Sequence, residues 1–218
     1  MQTLNQDIKN RTFKPVYCLY GEEAYLKRSF KYRLRDAILD GDTMNYHYFE
    51  GRNAEIRSII DAADTLPFFA DHRLILIENS GLFKKDAGEL VQYLPSMPES
   101  TILLFVESQM DKRSKLYKAI QAKGYAVELK RQSPDYIEKW VLTILKKEKK
   151  RITRSTMDRF LERTGSDMDL IRSELDKLLA YTQGRDVIDL SDVEEVGSVQ
   201  ITDQIFDMIN AIAAHNRG

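Results

Sequence analysis

Two kinds of apolar run divide the first half of the chain. Val16–Tyr20, residues 74–77 and residues 101–106 are short unbroken blocks, far below the length that spans a membrane. Such blocks predict strands covered on both faces, as in a parallel sheet. Tyr46–Glu50 and residues 125–129 are more mixed and predict two further strands, the first near an edge. Between the strands, apolar residues recur every three or four positions. Leu26, Phe30, Leu34 and Ile38 mark a helix over residues 22–39, and Ile56, Ile59, Ile60 and Ala63 one over 51–64, stopped by Pro67. Shorter helices are predicted over 3–10, 86–94 and 112–123, the last carrying Leu116, Tyr117 and Ile120 and ended by Gly124. Strands alternating with helices predict an α/β domain with a parallel sheet and right-handed crossovers.

At Ser133 the period changes. Ser133-Pro134 is a capped helix start, followed by Ile137, Trp140, Val141, Ile144 and Leu145 on one face. Helices are predicted over 154–163, 168–182, 191–196 and 202–214, with Ser191 and Glu194 as a capping box. The chain therefore divides into an α/β domain, residues 1–132, and a small all-helical domain, residues 133–218. Trp140 is the expected anchor between them.

One stretch fits neither pattern. Leu66-Pro67-Phe68-Phe69 is a block of four apolar residues where a helix ends and a strand is about to begin. Connections of this kind normally lie at the surface. Two adjacent phenylalanines there either plug the local core or await a partner.

Composition narrows the chemistry. The 218 residues are 43% hydrophobic, enough for one large or two unequal domains, and the net charge of −1 argues against a general polyanion binder. Residues 146–154 (KKEKKRITR) form a local basic run, which reads as a charged helix end or as a nucleic-acid contact. The single cysteine, Cys18, excludes an internal disulfide and suits a reducing cytoplasm. It lies in a predicted buried strand, where a thiol is inert. His47, His72 and His215 share no ligand spacing, so no metal site is expected. No Ser/His/Asp set is recognisable, and no catalytic residue is assigned.

The strand–glycine–helix opening at Gly21 is where a nucleotide-binding protein would hold phosphate. The turn reads GEEAYLKR, with one glycine and with Glu22 and Glu23 at the helix start. A phosphate loop needs several glycines followed by Lys and Ser/Thr, and carboxylates occupy the helix end that an anion would use. Glu78-Asn79 is at most a degenerate magnesium-holding pair. No nucleotide-binding residue and no cofactor are expected.

The order of these segments resembles the delta subunit of the bacterial DNA polymerase III clamp loader. The stretches that carry the resemblance are PVYCLYGEEAYL (15–26), ADTLPFFADHRLILIEN (63–79), TILLFVESQMDKRSKLYKAI (101–120), GSDMDLIRSELDKLLAY (165–181) and DQIFDMINAI (203–212). The resemblance implies a RecA-like AAA+ core with a degenerate nucleotide site, followed by an AAA+ helical lid. It implies that Leu66, Pro67, Phe68 and Phe69 form a wedge for the sliding clamp, with Phe68 and Phe69 entering the clamp pocket. The sliding clamp and the other loader subunits are the implied partners, with DNA met only within the complex and no membrane involved. The family's third, helical collar domain is not seen before the chain stops at Gly218, so a truncated form is expected, without the collar's assembly and DNA contacts. The rival expectations are an active AAA+ ATPase and a direct DNA-binding module using residues 146–154.

Overall fold

The structure is a computed structural model that describes residues 1–51 and 54–196. The predicted helix over 202–214 and the stretch 203–212 lie outside the described residues, as does His215. Two compact units divide the chain, Met1–Arg131 and Gln132–Gly218.

The first unit runs α1 (Gln2–Asn10), β1 (Val16–Tyr20), α2 (Ala24–Leu39), β2 (Tyr46–Glu50), α3 (Ile56–Asp64), β3 (Arg73–Glu78), α4 (Gly88–Tyr93), β4 (Thr101–Glu107), α5 (Lys115–Lys123) and β5 (Tyr125–Glu128). All five strands are parallel, in the order β2-β3-β4-β1-β5. The unbroken apolar blocks are the three central strands. Every residue of β1 and β4 is buried, as is all of β3 but Glu78. β2 is an edge, and its half-exposed pattern matches its mixed sequence.

Alternation along the strands sends Val16, Cys18, Ile75, Ile77, Leu103 and Phe105 to the face covered by α3, α4 and α5. Leu26, Phe30, Leu34 and Ile38, also buried, lie on α2, which packs on β1, β3 and β4. Burial pushes the Cys18 thiol well above its ordinary value, as expected of an inert core cysteine.

Among the helix starts that differ from the sequence reading, α3 begins at Ile56 rather than 51. α5 begins at Lys115 rather than 112, because Asp111 holds the Arg113 N–H in a turn and Ser114 is the residue whose hydroxyl accepts from Tyr117 N–H. α2 begins at Ala24 rather than 22, for a reason that belongs to the site below.

The second unit contains α6 (Pro134–Lys147), α7 (Arg154–Thr164), α8 (Met168–Tyr181) and α9 (Leu190–Val196). Ile137, Val141 and Leu145 form the buried face of α6, and Trp140 is half-buried. Among the described residues the unit is helical apart from one short parallel ladder that periodicity does not announce, β6 (Arg151–Ile152) with β7 (Val187–Ile188). The Ser191–Glu194 capping box is not formed. α9 starts one residue earlier, and the Asp192 carboxylate accepts from Asp189 N–H at 2.8 Å. The Asp at the third helical position takes the part expected of Glu194, because Asp189, not Ser191, precedes the helix.

Candidate protein-binding site

The LPFF block lies on the connection between α3 and β3, which side chains fasten at Thr65, Leu66 and Phe68. Leu66 precedes a proline, which disfavours helix there, and Thr65 is already extended. The Thr65 hydroxyl donates to Asp61 O at 3.0 Å, satisfying one of the last helix carbonyls. Buried Thr101 donates to Ala63 O at 2.7 Å, fastening the end of α3 to the start of β4. Arg73, the first residue of β3, donates to Leu66 O at 3.2 Å and shares a 3.1 Å contact with His47 Nδ1. The Asn45 side chain accepts from Phe68 N–H at 2.6 Å and donates to Phe68 O at 2.8 Å.

The side chains of this connection face water. Leu66 is 70% exposed, Phe68 56% and Phe69 94%. The two rings touch each other edge to face, centroids 4.5 Å apart. Phe69 has φ +48°, a left-handed conformation that costs a non-glycine residue about 1–2 kcal/mol. The alternative of a core plug is thus excluded by the geometry. Beside the rings lies an open cleft of about 480 Å³, lined in part by Phe13, Met44 and His72. Met44, also well exposed, extends the apolar surface. Concentrated apolar exposure on a restrained loop makes this connection a candidate interaction site.

At the opposite end of the sheet, the strand–helix turn is closed by the protein's own groups. Gly21 has φ +118°, and a Cβ there would come within 2.5 Å of Leu129 O. That carbonyl accepts from Glu23 N–H at 2.9 Å, so Leu129 lies across the start of α2 and takes a donor that a phosphate would need. This bond is why the helix begins after Glu23. Glu22 is left exposed, whereas Glu23 is buried.

Beneath the turn is an ionic cluster. Lys31 pairs with Glu78 at 2.9 Å, both side chains mostly buried. Glu78 also accepts from Tyr48 Oη at 3.2 Å, so the suspected magnesium pair is spoken for by side chains, and Asn79 accepts from Ser108 Oγ instead. Lys27 is buried beside Glu107 O, at 3.5 Å. Burial lowers the Lys27 pKa, opposed by the charges of Glu78, Glu107 and Glu23. Burial likewise raises the Glu107 carboxyl, opposed by bonds from the Ser80 hydroxyl and N–H at 2.6 and 3.0 Å. Glu23, Glu78 and Glu107 thus share this place with Lys27 and Lys31.

The basic run over 146–154 is partly committed to its own unit. Lys150 donates to the carbonyls of Thr182 and Arg185, and Arg154 pairs with Glu138 at 2.7 Å and Asp158 at 3.0 Å. Among the described residues, no group of three His, Cys, Asp or Glu could hold a metal ion, and no helix is long and apolar enough to cross a membrane.

Periodicity leads to the LPFF block but gives no hint of Asn45. Asn45 stands 23 positions from Phe68 and reads in the sequence as an ordinary residue ahead of a strand. Arg73 is equally silent, a lone charge beside an apolar run.

Comparison with known proteins adds ancestry to this geometry. The family described as DNA polymerase III, delta subunit, matches residues 17–130, just over half of the chain. The chain is 27% identical over 225 aligned positions to the DNA polymerase III subunit delta of Bacillus subtilis, covering 97% of this chain and 65% of that one. It is 22% identical over 210 positions to a probable DNA polymerase III subunit delta of Aquifex aeolicus, covering 90% and 59%. The chain thus spans less than two thirds of the length of these curated relatives.

Among solved structures, the Bacillus subtilis DNA clamp loader delta protein superposes with a TM-score of 0.74 at 24% identity, over 99% of this chain and 68% of that one. The Thermotoga maritima RuvB Holliday junction branch migration motor superposes with a TM-score of 0.55 at 12% identity, over 89% and 65%. These likenesses show the fold: a RecA-like AAA+ core built on a parallel sheet, followed by a helical lid.

Proposed function

The chain belongs to the family of DNA polymerase III delta subunits, and from that premise we propose that Leu66, Pro67, Phe68 and Phe69 bind the DNA polymerase sliding clamp as a hydrophobic wedge. The observation that carries this reading is the pair of adjacent phenylalanines held in solvent on a pinned connection. Two Phe rings and a Leu entering an apolar pocket contribute roughly 1.5–3 kcal/mol each before ordering costs. A loop already fixed by Asn45, Arg73 and Thr101 keeps those costs low.

Binding energy of this kind does mechanical work only if it differs between states. A wedge that fits a clamp with a shifted interface better than the closed ring opens the ring, or traps it open, by that difference in affinity. In this reading residues 1–132 are the wedge-bearing core and residues 133–218 the lid. Other clamp-loader subunits are the remaining partners, and they control access to the wedge through their ATP. DNA is met within the assembled complex, in the cytoplasm.

The test is binding of this chain to the sliding clamp of the same organism, with and without the double substitution F68A/F69A. Saturable binding that the substitution weakens about a hundredfold supports the wedge. Equal binding by both proteins removes it.

A further inference from the structure

Something must hold the wedge in position, because the connection that carries it has no ladder of its own. Among the described residues, no backbone–backbone hydrogen bond reaches residues 66–72. The backbone of that segment is held by two side chains instead, Arg73 on Leu66 O and Asn45 on both polar groups of Phe68. We propose that Asn45 is a positioning residue for clamp binding, which sets the direction in which Phe68 and Phe69 are presented. The proposal rests on the wedge reading above.

Asn45 is fully buried and sits at the foot of β2. Its own carbonyl accepts from Leu74 N–H at 2.9 Å, continuing the pairing of β2 with β3 by one step. That bond belongs to the backbone and survives any substitution. The side chain has a different task. Its Oδ1 takes the Phe68 N–H and its Nδ2 gives to the Phe68 carbonyl, as a neighbouring strand would. Nδ2 also donates to Asp42 Oδ2, whose carboxylate is itself held by Met44 N–H at 2.7 Å.

Because a backbone N–H can only donate and a carbonyl only accept, the amide can face Phe68 in one orientation alone. A carboxylate at this position leaves the Phe68 carbonyl without its donor and meets Asp42 with like charge. An alanine supplies neither function. The amide is therefore what couples the register of the sheet to the exposed rings. Phe69, next along, is in the left-handed conformation.

The test is a double-mutant cycle on the full 218-residue chain, with N45A, F68A/F69A and the combination measured for binding to the sliding clamp. Amide hydrogen exchange at Phe68 and thermal melting are followed in parallel. The expected results for N45A are about tenfold weaker clamp binding with a cooperative melt, and Phe68 N–H exchange at least tenfold faster. In the F68A/F69A background the N45A effect on binding should vanish, which a merely structural role would not produce.

Clamp binding by N45A at full strength, with F68A/F69A impaired, overturns the positioning role and leaves the wedge standing. An N45A loss of the same size in the F68A/F69A background, or unchanged exchange at Phe68, overturns it too. Full-strength binding by F68A/F69A overturns the wedge reading, and the positioning role falls with it. If N45A melts without cooperativity, N45S carries the same cycle, since it keeps a neutral polar group at the position without the reach of the amide.

Discussion

The two ends of one parallel sheet depart from ordinary burial in opposite ways. Where β3 begins, apolar rings stand in water. Where β3 and β4 end, charged side chains are packed inside. The first departure leaves an unmet opportunity, since exposed Phe68 and Phe69 gain by finding an apolar surface. The second leaves none, because Lys27, Lys31, Glu78 and Glu107 answer one another. A surface that is unsatisfied alone gains by meeting an apolar partner. A cluster that is satisfied alone has closed itself to ligands.

The sharpest way to break this contrast is to compare like side chains. Phe83 and Phe105 also meet edge to face, 5.5 Å apart, but inside the core. Phe105→Ala should cost about 3–5 kcal/mol and lower Tm by roughly 10 °C. F68A/F69A should change stability by no more than about 0.5 kcal/mol while weakening clamp binding about a hundredfold. Melting and clamp titration on both variants decide the matter. A wedge variant that melts like Phe105→Ala would return those rings to a structural role.

A smaller effect sharpens the other end. Burial raises the Glu107 pKa in the folded chain, so its contribution to stability is full below the ordinary carboxylate value and is lost as pH rises through the folded one. Glu107→Gln keeps an acceptor for Ser80 and has no ionisation to oppose. Its Tm should match the wild type near pH 4 and edge above it by pH 7. A variant that loses stability as pH rises would mean that the pairing with Lys27 outweighs burial.

The smallest expected effect is none. Titration with ATP and magnesium should give no saturable binding at micromolar concentration, because Leu129 O takes the Glu23 N–H and Glu22 and Glu23 stand at the helix start. Saturable binding there would show that the ionic cluster opens.

The sequence exposes these two ends unequally. Strand runs and helix periods place the sheet, and the lone glycine with Glu22 and Glu23 marks the turn as poor in phosphate contacts. Leu66 to Phe69 stand out because apolar residues have no local reason to be there. What the pattern does not carry is long-range pairing of polar atoms. Nothing local links Asn45 to Phe68 or Leu129 to Glu23, since each bond exists only after the strands are in register. The capping box at Ser191 shows the same limit at short range, where Asp192 does what Glu194 was expected to do.

The strand order has a consequence for the making of this protein. β1 precedes β4 and β5 in the chain, yet it lies between them, and Val16 pairs with Leu103. Until residues beyond 101 leave the ribosome, the most apolar early segment has neither neighbour, and such distant pairings are slow to close. The stretch carrying Phe68 and Phe69 emerges during that interval. A nascent chain in this state exposes the same rings that the finished fold continues to display, whereas completing the sheet buries the strand that follows them.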